Sequence, residues 1–235
     1  MKLGIIGAMD VEVAALKENM TNISHRVIAG ADYCEGTLEG LPVVVVQCGV
    51  GKVNAALCVQ ALCDCFAVTH IVNTGVAGSL DVELDIGDFV ISRDAVYHDF
   101  DCHVINPNYR VGQVPGLDVW AFPADKVLVD LAFGVANTLC PGHAHIGTVA
   151  SGDQFVCQKE HKQQIVADTN AVCTEMEGAA IAHGAWRNGV PFVVIRAISD
   201  KADDSAQMDY PTFEAIAAKR CAEVTKTMAK ALADM

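Results

Sequence analysis

Short runs of mainly apolar residues recur along the chain, separated by stretches that are richer in polar residues. Runs that do not alternate between apolar and polar positions are typical of strands buried on both faces of a sheet. We therefore predict strands over residues 3–6, 43–46, 70–72, 89–91, 145–149 and 192–198.

Several of the stretches between these runs have the spacing of amphipathic helices. Residues 10–20 place Val13, Leu16 and Met20 three or four positions apart, which puts them on one side of a helix. Residues 53–66 are rich in Ala and Leu, both good helix formers. Two further helices are predicted over residues 175–186 and from about 211 to 233.

Strands that alternate with helices predict an α/β fold. We expect a three-layer α/β/α sandwich, with a central mixed β-sheet covered by helices on both faces. The length of 235 residues and the hydrophobic content of 52% suit a single domain, residues 1–235, with a large core. In such folds, ligands bind where strand ends meet helix starts.

The charge balance narrows the choice of partners. The 16 basic and 29 acidic residues give a net charge of −13, which repels phosphate backbones and anionic lipid headgroups. We therefore expect no nucleic acid and no membrane surface as partners. The chain begins directly with a strand-like run and shows no signal-peptide pattern, so we expect a cytoplasmic protein.

Ten cysteines lie mostly within apolar runs, which favours reduced, packed thiols over disulfides. Two pairs have the spacing of metal ligands, Cys63 with Cys65 and His143 with His145. Neither pair has a second pair at ligand spacing along the chain. We therefore predict no metal site.

Acidic residues stand where apolar segments end. Asp200 closes the last apolar strand, Glu175 and Glu177 lie a short way upstream at a predicted helix start, and Glu12 follows the first strand. Buried carboxylates are costly, so they usually have a function. Together these residues suggest an acid/base hydrolytic site. Taken singly, each also fits an acid that caps a turn or stabilises a helix N-terminus.

Two glycine-containing segments differ from phosphate-binding loops. Residues 4–9 lack the glycine spacing of a dinucleotide site, and acidic residues follow at Asp10 and Glu12. Residues 49–52 lack the spacer and the Ser or Thr of a phosphate loop. We predict that residues 49–52 form a strand-to-helix turn.

Two other segments follow apolar strands and suit a small ligand. Residues 73–78 contain small side chains that let a ligand approach the backbone closely. Residues 151–156 add Phe155, an aromatic ring suited to stacking on a flat heterocycle. A tight turn without a ligand explains the first segment equally well, and ordinary packing explains Phe155.

Taken together, five segments resemble the 5′-methylthioadenosine/S-adenosylhomocysteine nucleosidases of the purine nucleoside phosphorylase superfamily. They occur in the same order as in that family and span nearly the whole chain. They are Gly4-Ile-Ile-Gly-Ala-Met-Asp-Val-Glu12, Asn73-Thr-Gly-Val-Ala-Gly78, Ser151-Gly-Asp-Gln-Phe155, Glu175-Met-Glu177 and Arg196-Ala-Ile-Ser-Asp200.

The resemblance implies a nucleoside phosphorylase-like fold and a cofactor-free hydrolase that releases adenine from methylthioadenosine and S-adenosylhomocysteine, with 5′-deoxyadenosine a further substrate. In that reading Glu12 is the general base that activates water, and Asp200 is the general acid that protonates N7 of the purine. Glu177 binds the ribose hydroxyls, and Met176 packs under the sugar.

The resemblance also assigns the rest of the substrate site. Phe155 stacks on adenine, while the backbone of Val156 reads the edge of the base. Met9 and Gly78 line the sugar and purine pockets. The same segments contribute two more substrate-binding residues, Glu175 and Ser199.

Two departures from the family pattern bear on substrate choice. Val76 stands where the family commonly has Ser, and it has no hydroxyl to hold phosphate, which favours water as the nucleophile. The loop at residues 102–111, which covers the 5′ group of a neighbouring subunit in the family's homodimers, is a little long. The alternatives are a related purine nucleosidase or phosphorylase with another substrate, or a nucleoside-binding protein without turnover.

Overall fold

The computed structural model describes residues 1–207 and 209–235 with their side chains, and residue 208 by its backbone. Strands and helices alternate through most of the chain. The strands are β1 (Leu3–Gly7), β2 (Thr21–Ile28), β3 (Ala31–Leu38), β4 (Leu41–Gln47), β5 (His70–Ser79), β6 (Phe89–Tyr97), β7 (Phe122–Pro123), β8 (Ala144–Ser151), β9 (Cys173–Glu175) and β10 (Phe192–Asp200). The helices are α1 (Asp10–Glu18), α2 (Lys52–Phe66), α3 (Lys126–Leu139), α4 (Lys159–Thr169), α5 (Gly178–Asn188) and α6 (Ala206–Ala233).

The strands form one mixed sheet, in which β5 is the central element. Strand β1 lies parallel to both β4 and β5, and β5 also lies parallel to β10. Beyond β10 the pairing continues through β6, β8 and β9, and β9 pairs with β5 again. Part of the sheet therefore closes into a ring of five strands. At the other end, β3 and β2 extend the sheet as an antiparallel hairpin.

Helices cover both faces of the sheet, as the α/β sandwich requires. One core cluster packs α2 and α5 against the sheet, through residues such as Leu62 and Ile181. A second core cluster packs α1, α3 and α6 on the other face, through residues such as Leu16, Leu128 and Val224. The predicted α/β class and the mixed sheet are confirmed.

All six predicted strands are present, each within a longer observed strand. The prediction missed β2 and β3, because β2 is exposed along nearly its whole length and β3 carries polar residues. It also missed the short strands β7 and β9 and the helices α3 and α4. Continuous apolar runs identify only strands that are buried on both faces.

The helix predicted over residues 175–186 begins three residues later, at Gly178. Glu175 ends β9 instead, and Glu177 is the residue that precedes the helix. The carboxylate of Glu175 accepts hydrogen bonds from the backbone N–H groups of Glu177 and Gly178. The Glu175 carboxylate therefore bonds to the backbone at the start of α5 instead of lying within the helix.

Helix α6 begins at Ala206, ahead of the predicted start near residue 211, and runs for 28 residues with Pro211 inside it. It packs against β10, β5 and α1. Despite this length, neither α6 nor any other helix among the described residues is long and apolar enough to cross a membrane.

Candidate active site

An open pocket lies where β1, β5 and β10 end and where β9 leads into α5. Val76 and Tyr210 contribute to its wall. The structure also brings all ten predicted site residues to this pocket: Met9, Glu12, Gly78, Phe155, Val156, Glu175, Met176, Glu177, Ser199 and Asp200.

Glu12 lies in the first turn of α1, and its carboxylate turns back into the protein. One oxygen accepts hydrogen bonds from the backbone N–H groups of Ala8, at 2.7 Å, and Met9, at 3.0 Å. The other oxygen accepts from the N–H of Val76 at 3.1 Å. Burial raises the pKa of Glu12, whereas the Arg196 guanidinium and the three N–H donors oppose that rise.

Asp200 ends β10 and is buried beside β5. Its carboxylate accepts hydrogen bonds from the N–H of Ala202, at 2.8 Å, and the hydroxyl of Ser199, at 2.9 Å. Burial raises its pKa; these two donors oppose the rise, whereas the negative charges of Asp209 and Asp203 add to it.

Two glycines of β5 make room for these carboxylates. A Cβ atom on Gly75 would lie 2.4 Å from an oxygen of Glu12, and a Cβ on Gly78 would lie 2.7 Å from an oxygen of Asp200. Strand β5 lies between β1 and β10. The two acids therefore enter the pocket from opposite sides of β5, near positions about 10 Å apart along that strand.

Glu177 is held at the pocket by a backbone donor from another element. The N–H of Gly51, in the turn between β4 and α2, donates to its carboxylate at 2.7 Å. Burial raises the pKa of Glu177 to about 8, with a further contribution from the negative charge of Glu175. Residues 49–52 form the strand-to-helix turn that the sequence predicts.

Glu175 forms a buried ion pair with Arg196. It also accepts a hydrogen bond from the hydroxyl of Ser151. Arg196 donates in addition to the side chain of Asn73, at 2.5 Å. The carboxylate of Glu175 is thus largely occupied by protein partners, so its main effect on the pocket is to fix its neighbours.

The outer wall of the pocket is apolar and aromatic. Phe155 is about half exposed, at 49%, and its ring meets Tyr210 edge-on at 5.5 Å between centroids. The Tyr210 hydroxyl donates to Glu214 at 3.0 Å and lies 3.3 Å from the sulfur of Met9. Two buried carboxylates beside an aromatic wall suit acid/base chemistry on a small, flat molecule.

The sequence did not assign roles to Arg196, Asn73 or Tyr210, although all three shape the site. Arg196 offered a signal, because it is a charged residue in the middle of an apolar strand and must find a buried partner. Nothing in the spacing of Tyr210 indicated that α6 would carry it to the pocket.

One group among the described residues has the spacing of metal ligands, and it lies outside this pocket. It consists of His25, Asp32 and Cys34 on β2 and β3. The pocket itself offers carboxylates that are already bonded to N–H donors, hydroxyls or Arg196.

Comparison with known proteins agrees with this fold. A family model described as Phosphorylase superfamily matches residues 2–230. The 5′-methylthioadenosine/S-adenosylhomocysteine nucleosidase of Halalkalibacterium halodurans is 42% identical over 214 residues, which cover 90% of this chain and 90% of the relative.

Two solved structures extend the comparison. The nucleosidase of the same name from Neisseria meningitidis, in complex with methylthio-immucillin-A, has a TM-score of 0.94 and 35% identity over 98% of this chain and 99% of its own. The futalosine hydrolase of Helicobacter pylori has a TM-score of 0.91 and 32% identity over 97% of each chain.

The sheet, the pocket and the matched residues define a member of the phosphorylase superfamily. Relatives named 5′-methylthioadenosine/S-adenosylhomocysteine nucleosidase are 38% to 42% identical to this chain over 90% or more of its length. The chain therefore belongs to the 5′-methylthioadenosine/S-adenosylhomocysteine nucleosidase family of that superfamily.

Proposed function

We propose that this protein hydrolyses the N-glycosidic bond of 5′-methylthioadenosine and S-adenosylhomocysteine, releasing adenine and the corresponding thioribose. The observation that carries the proposal is the placement of Glu12 and Asp200, two buried carboxylates with raised pKa, on either side of β5 in one pocket. The family relationship supports it.

The surroundings of the two acids support a separate role for each. Glu12 has three N–H donors and the positive charge of Arg196 nearby, which favour its ionised form. Asp200 accepts from two donors, Ala202 and Ser199, but no cation is among the groups that shift its pKa, and the negative charges of Asp209 and Asp203 favour its protonated form. Glu12 is thus the general base and Asp200 the general acid.

The reaction needs both roles. Breaking the bond between ribose and N9 of adenine develops positive charge on the sugar, which buried carboxylates stabilise. An adenine anion is a poor leaving group, so Asp200 protonates N7 as the bond breaks. Glu12 takes a proton from water, and the resulting hydroxide adds to the sugar carbon. General acid or base assistance typically contributes ~10² to 10⁴ in rate.

The remaining pocket residues hold the substrate. Glu177 accepts hydrogen bonds from the ribose hydroxyls, with Met176 under the sugar. Phe155 stacks on adenine and the backbone of Val156 reads its edge. These roles suit the apolar and aromatic lining of the pocket, to which three further predicted residues contribute: Met9, Gly78 and Ser199.

Glu175 takes a positioning role within this proposal. Its carboxylate pairs with Arg196 and accepts from the N–H groups of Glu177 and Gly178. These bonds fix the backbone that carries Glu177. Its contact with substrate is therefore indirect, through the residue that binds the ribose.

Water rather than phosphate is the nucleophile in this proposal. Val76 lies in the pocket wall and offers no hydroxyl to an anion. Glu12 and Asp10 add negative charge at the same end of the site. A phosphate dianion would be repelled there, whereas water is not.

A homodimer completes the proposed site. Residues 102–111 do not line the pocket of their own chain, and Val104 and Ile105 on this loop are 87% and 82% exposed. In the dimer this loop covers the 5′ group bound by the other subunit. Because a loop of the other subunit forms this part of the site, the 5′ substituent is the part of the substrate that can vary most.

The test is chromatography of the products formed by the purified protein from methylthioadenosine, with and without added phosphate. We expect adenine and free methylthioribose in both reactions. Phosphate-dependent formation of a ribose 1-phosphate would instead make the protein a phosphorylase. Futalosine and 5′-deoxyadenosine are tested in parallel. If base is released from only one of these two nucleosides and not from methylthioadenosine, the protein prefers a different 5′ group or base.

Protein that binds these nucleosides but releases no base would overturn the enzymatic proposal and leave a binding function. Size measurement in solution tests the dimer separately. A monomer with full activity would remove the partner's loop from the mechanism.

A further inference from the structure

The hairpin formed by β2 and β3 brings three metal-binding side chains together. His25 on β2 and Cys34 on β3 are directly paired across the antiparallel ladder. Asp32 lies two residues before Cys34, so it projects from the same face of the hairpin. The spacing along the chain does not reveal this group, because it forms only when the two strands pair.

The three ligand atoms have the separations that a tetrahedral metal requires. The sulfur of Cys34 lies 3.5 Å from Nδ1 of His25 and 3.5 Å from Oδ2 of Asp32. Nδ1 of His25 lies 2.9 Å from Oδ2 of Asp32. Tetrahedral zinc with ordinary bond lengths holds its ligand atoms about 3.3 to 3.6 Å apart. A shift of about half an ångström between His25 and Asp32 therefore completes three corners of the tetrahedron.

The surroundings leave the group accessible to an ion. The side chains of His25 and Asp32 are 60% and 44% exposed. Asp32 also borders an open cavity, lined in addition by Lys17, Gln47 and Asn54. An ion can thus reach the group from solvent, and a water molecule can serve as the fourth ligand.

We propose that His25, Asp32 and Cys34 form a binding site for a divalent transition metal of the zinc class, separate from the nucleoside pocket. One thiolate, one imidazole and one carboxylate are a donor set typical of zinc rather than of magnesium or calcium. On binding, the metal replaces the thiol proton of Cys34 and any proton on Nδ1 of His25, and these protons pass to solvent.

The bound metal crosslinks β2 to β3 at the outer end of the sheet. Its affinity is limited by Lys17, which borders the same cavity and whose positive charge acts on both Asp32 and Cys34 and repels a second cation. Removing that charge in Lys17→Gln should therefore tighten binding. In the competing interpretation, the three side chains are joined only by hydrogen bonds and bind no metal. It predicts that Lys17→Gln does not change metal affinity.

The experiment uses the full-length protein after treatment with a chelator. Titration with Co²⁺ should give the absorption band of a cobalt–thiolate bond, and one equivalent of Zn²⁺ should displace it. Cys34→Ser should abolish the band, and His25→Gln should weaken Zn²⁺ affinity at least tenfold. His25 is exposed, so its replacement is expected to leave the fold intact. Cys65→Ser, at an exposed cysteine outside the group, is the control and should behave as the wild type.

Zn²⁺ should also raise the thermal midpoint of the wild type and of Cys65→Ser, but not that of His25→Gln. A wild-type protein without the cobalt–thiolate band, a band that survives Cys34→Ser, or an unchanged Zn²⁺ affinity in His25→Gln would overturn the proposal. Hydrolysis of methylthioadenosine by metal-free wild type and by His25→Gln should be equal. This separates failure of the metal site from failure of the proposed nucleosidase activity.

Discussion

At the scale of single residues, the surroundings of each carboxylate in the pocket determine the direction in which its pKa shifts. Glu12 and Asp200 are both buried, and burial raises the pKa of both. Their partners differ, because Arg196 and three backbone donors face Glu12, whereas two donors and the negative charges of Asp209 and Asp203 face Asp200. This difference supports the proposed roles of Glu12 as base and Asp200 as acid.

Replacement of Glu12 by Gln should reduce kcat about 10²- to 10⁴-fold while adenine still binds. The amide keeps the volume of the side chain but cannot accept a proton from water. The measurement is kcat from adenine release, with adenine affinity by calorimetry. Asp10→Asn, an exposed acid in the same helical turn, is the control and should keep wild-type turnover. Unchanged turnover in Glu12→Gln would exclude Glu12 as the base.

Replacement of Asp200 by Asn should lower kcat by a similar factor, about 10²- to 10⁴-fold, and remove the alkaline limb of the pH–rate profile. An acid must be protonated to work, so in the wild type kcat falls as pH rises through the raised pKa of Asp200. Asp204→Asn, at an exposed acid nearby, should retain both kcat and the limb. If the alkaline limb of the pH–rate profile persists in Asp200→Asn, the general acid is another group.

At the scale of elements, β5 organises the site. It lies between the strand that leads to Glu12 and the strand that ends at Asp200. Gly75 and Gly78 leave space for the two carboxylates. A side chain on either glycine would displace an acid without removing it.

Gly75→Ala tests this arrangement. The new methyl group would lie 2.4 Å from an oxygen of Glu12 and 3.0 Å from a nitrogen of Arg196, so both side chains must shift. We expect a fall in kcat of more than tenfold, since misplacing a catalytic group by about 1 Å costs up to 10²-fold. Gly134→Ala is the control, because a Cβ there meets no atom within 4 Å. Equal kcat for both variants would show that β5 does not set the position of Glu12.

The elements also show what the sequence can predict. Buried strands such as β1, β5 and β10 were found because both faces are apolar, and their ends located Glu12 and Asp200. The exposed strand β2 and the polar strand β3 carry no such pattern. Glu175 was misplaced on a helix because the sequence does not show its bonds to Arg196 and Ser151.

At the scale of the whole molecule, the buried acids link stability to pH. The pKa of Glu177 rises from an ordinary value of 4.5 to about 8 in the folded protein. Its contribution to stability is thus fully present below pH 4.5 and is lost as pH rises through about 8. The sign follows from the folded state binding the proton more tightly than the unfolded chain.

Glu177→Gln should therefore flatten the decline in stability across that pH window, because Gln has no proton to lose. Urea unfolding at a series of pH values measures the free energy of unfolding for both proteins. Glu160→Gln, an exposed acid in the first turn of α4, should follow the wild type. Parallel curves for wild type and Glu177→Gln would mean that Glu177 titrates as an ordinary carboxyl group in the fold.

Because β5, β10, β6, β8 and β9 close on themselves, the long free edge of this sheet is β2. Exposed edges pair readily with strands of other molecules, which is a route to aggregation. The left-handed backbone of Asn22 interrupts the ladder between Thr21 and Ser24, and Arg26 adds a charge further along. Strand β2 is thus the main site in this sheet at which strands of other molecules could pair. The bulge near Asn22 and the charge of Arg26 disfavour such pairing.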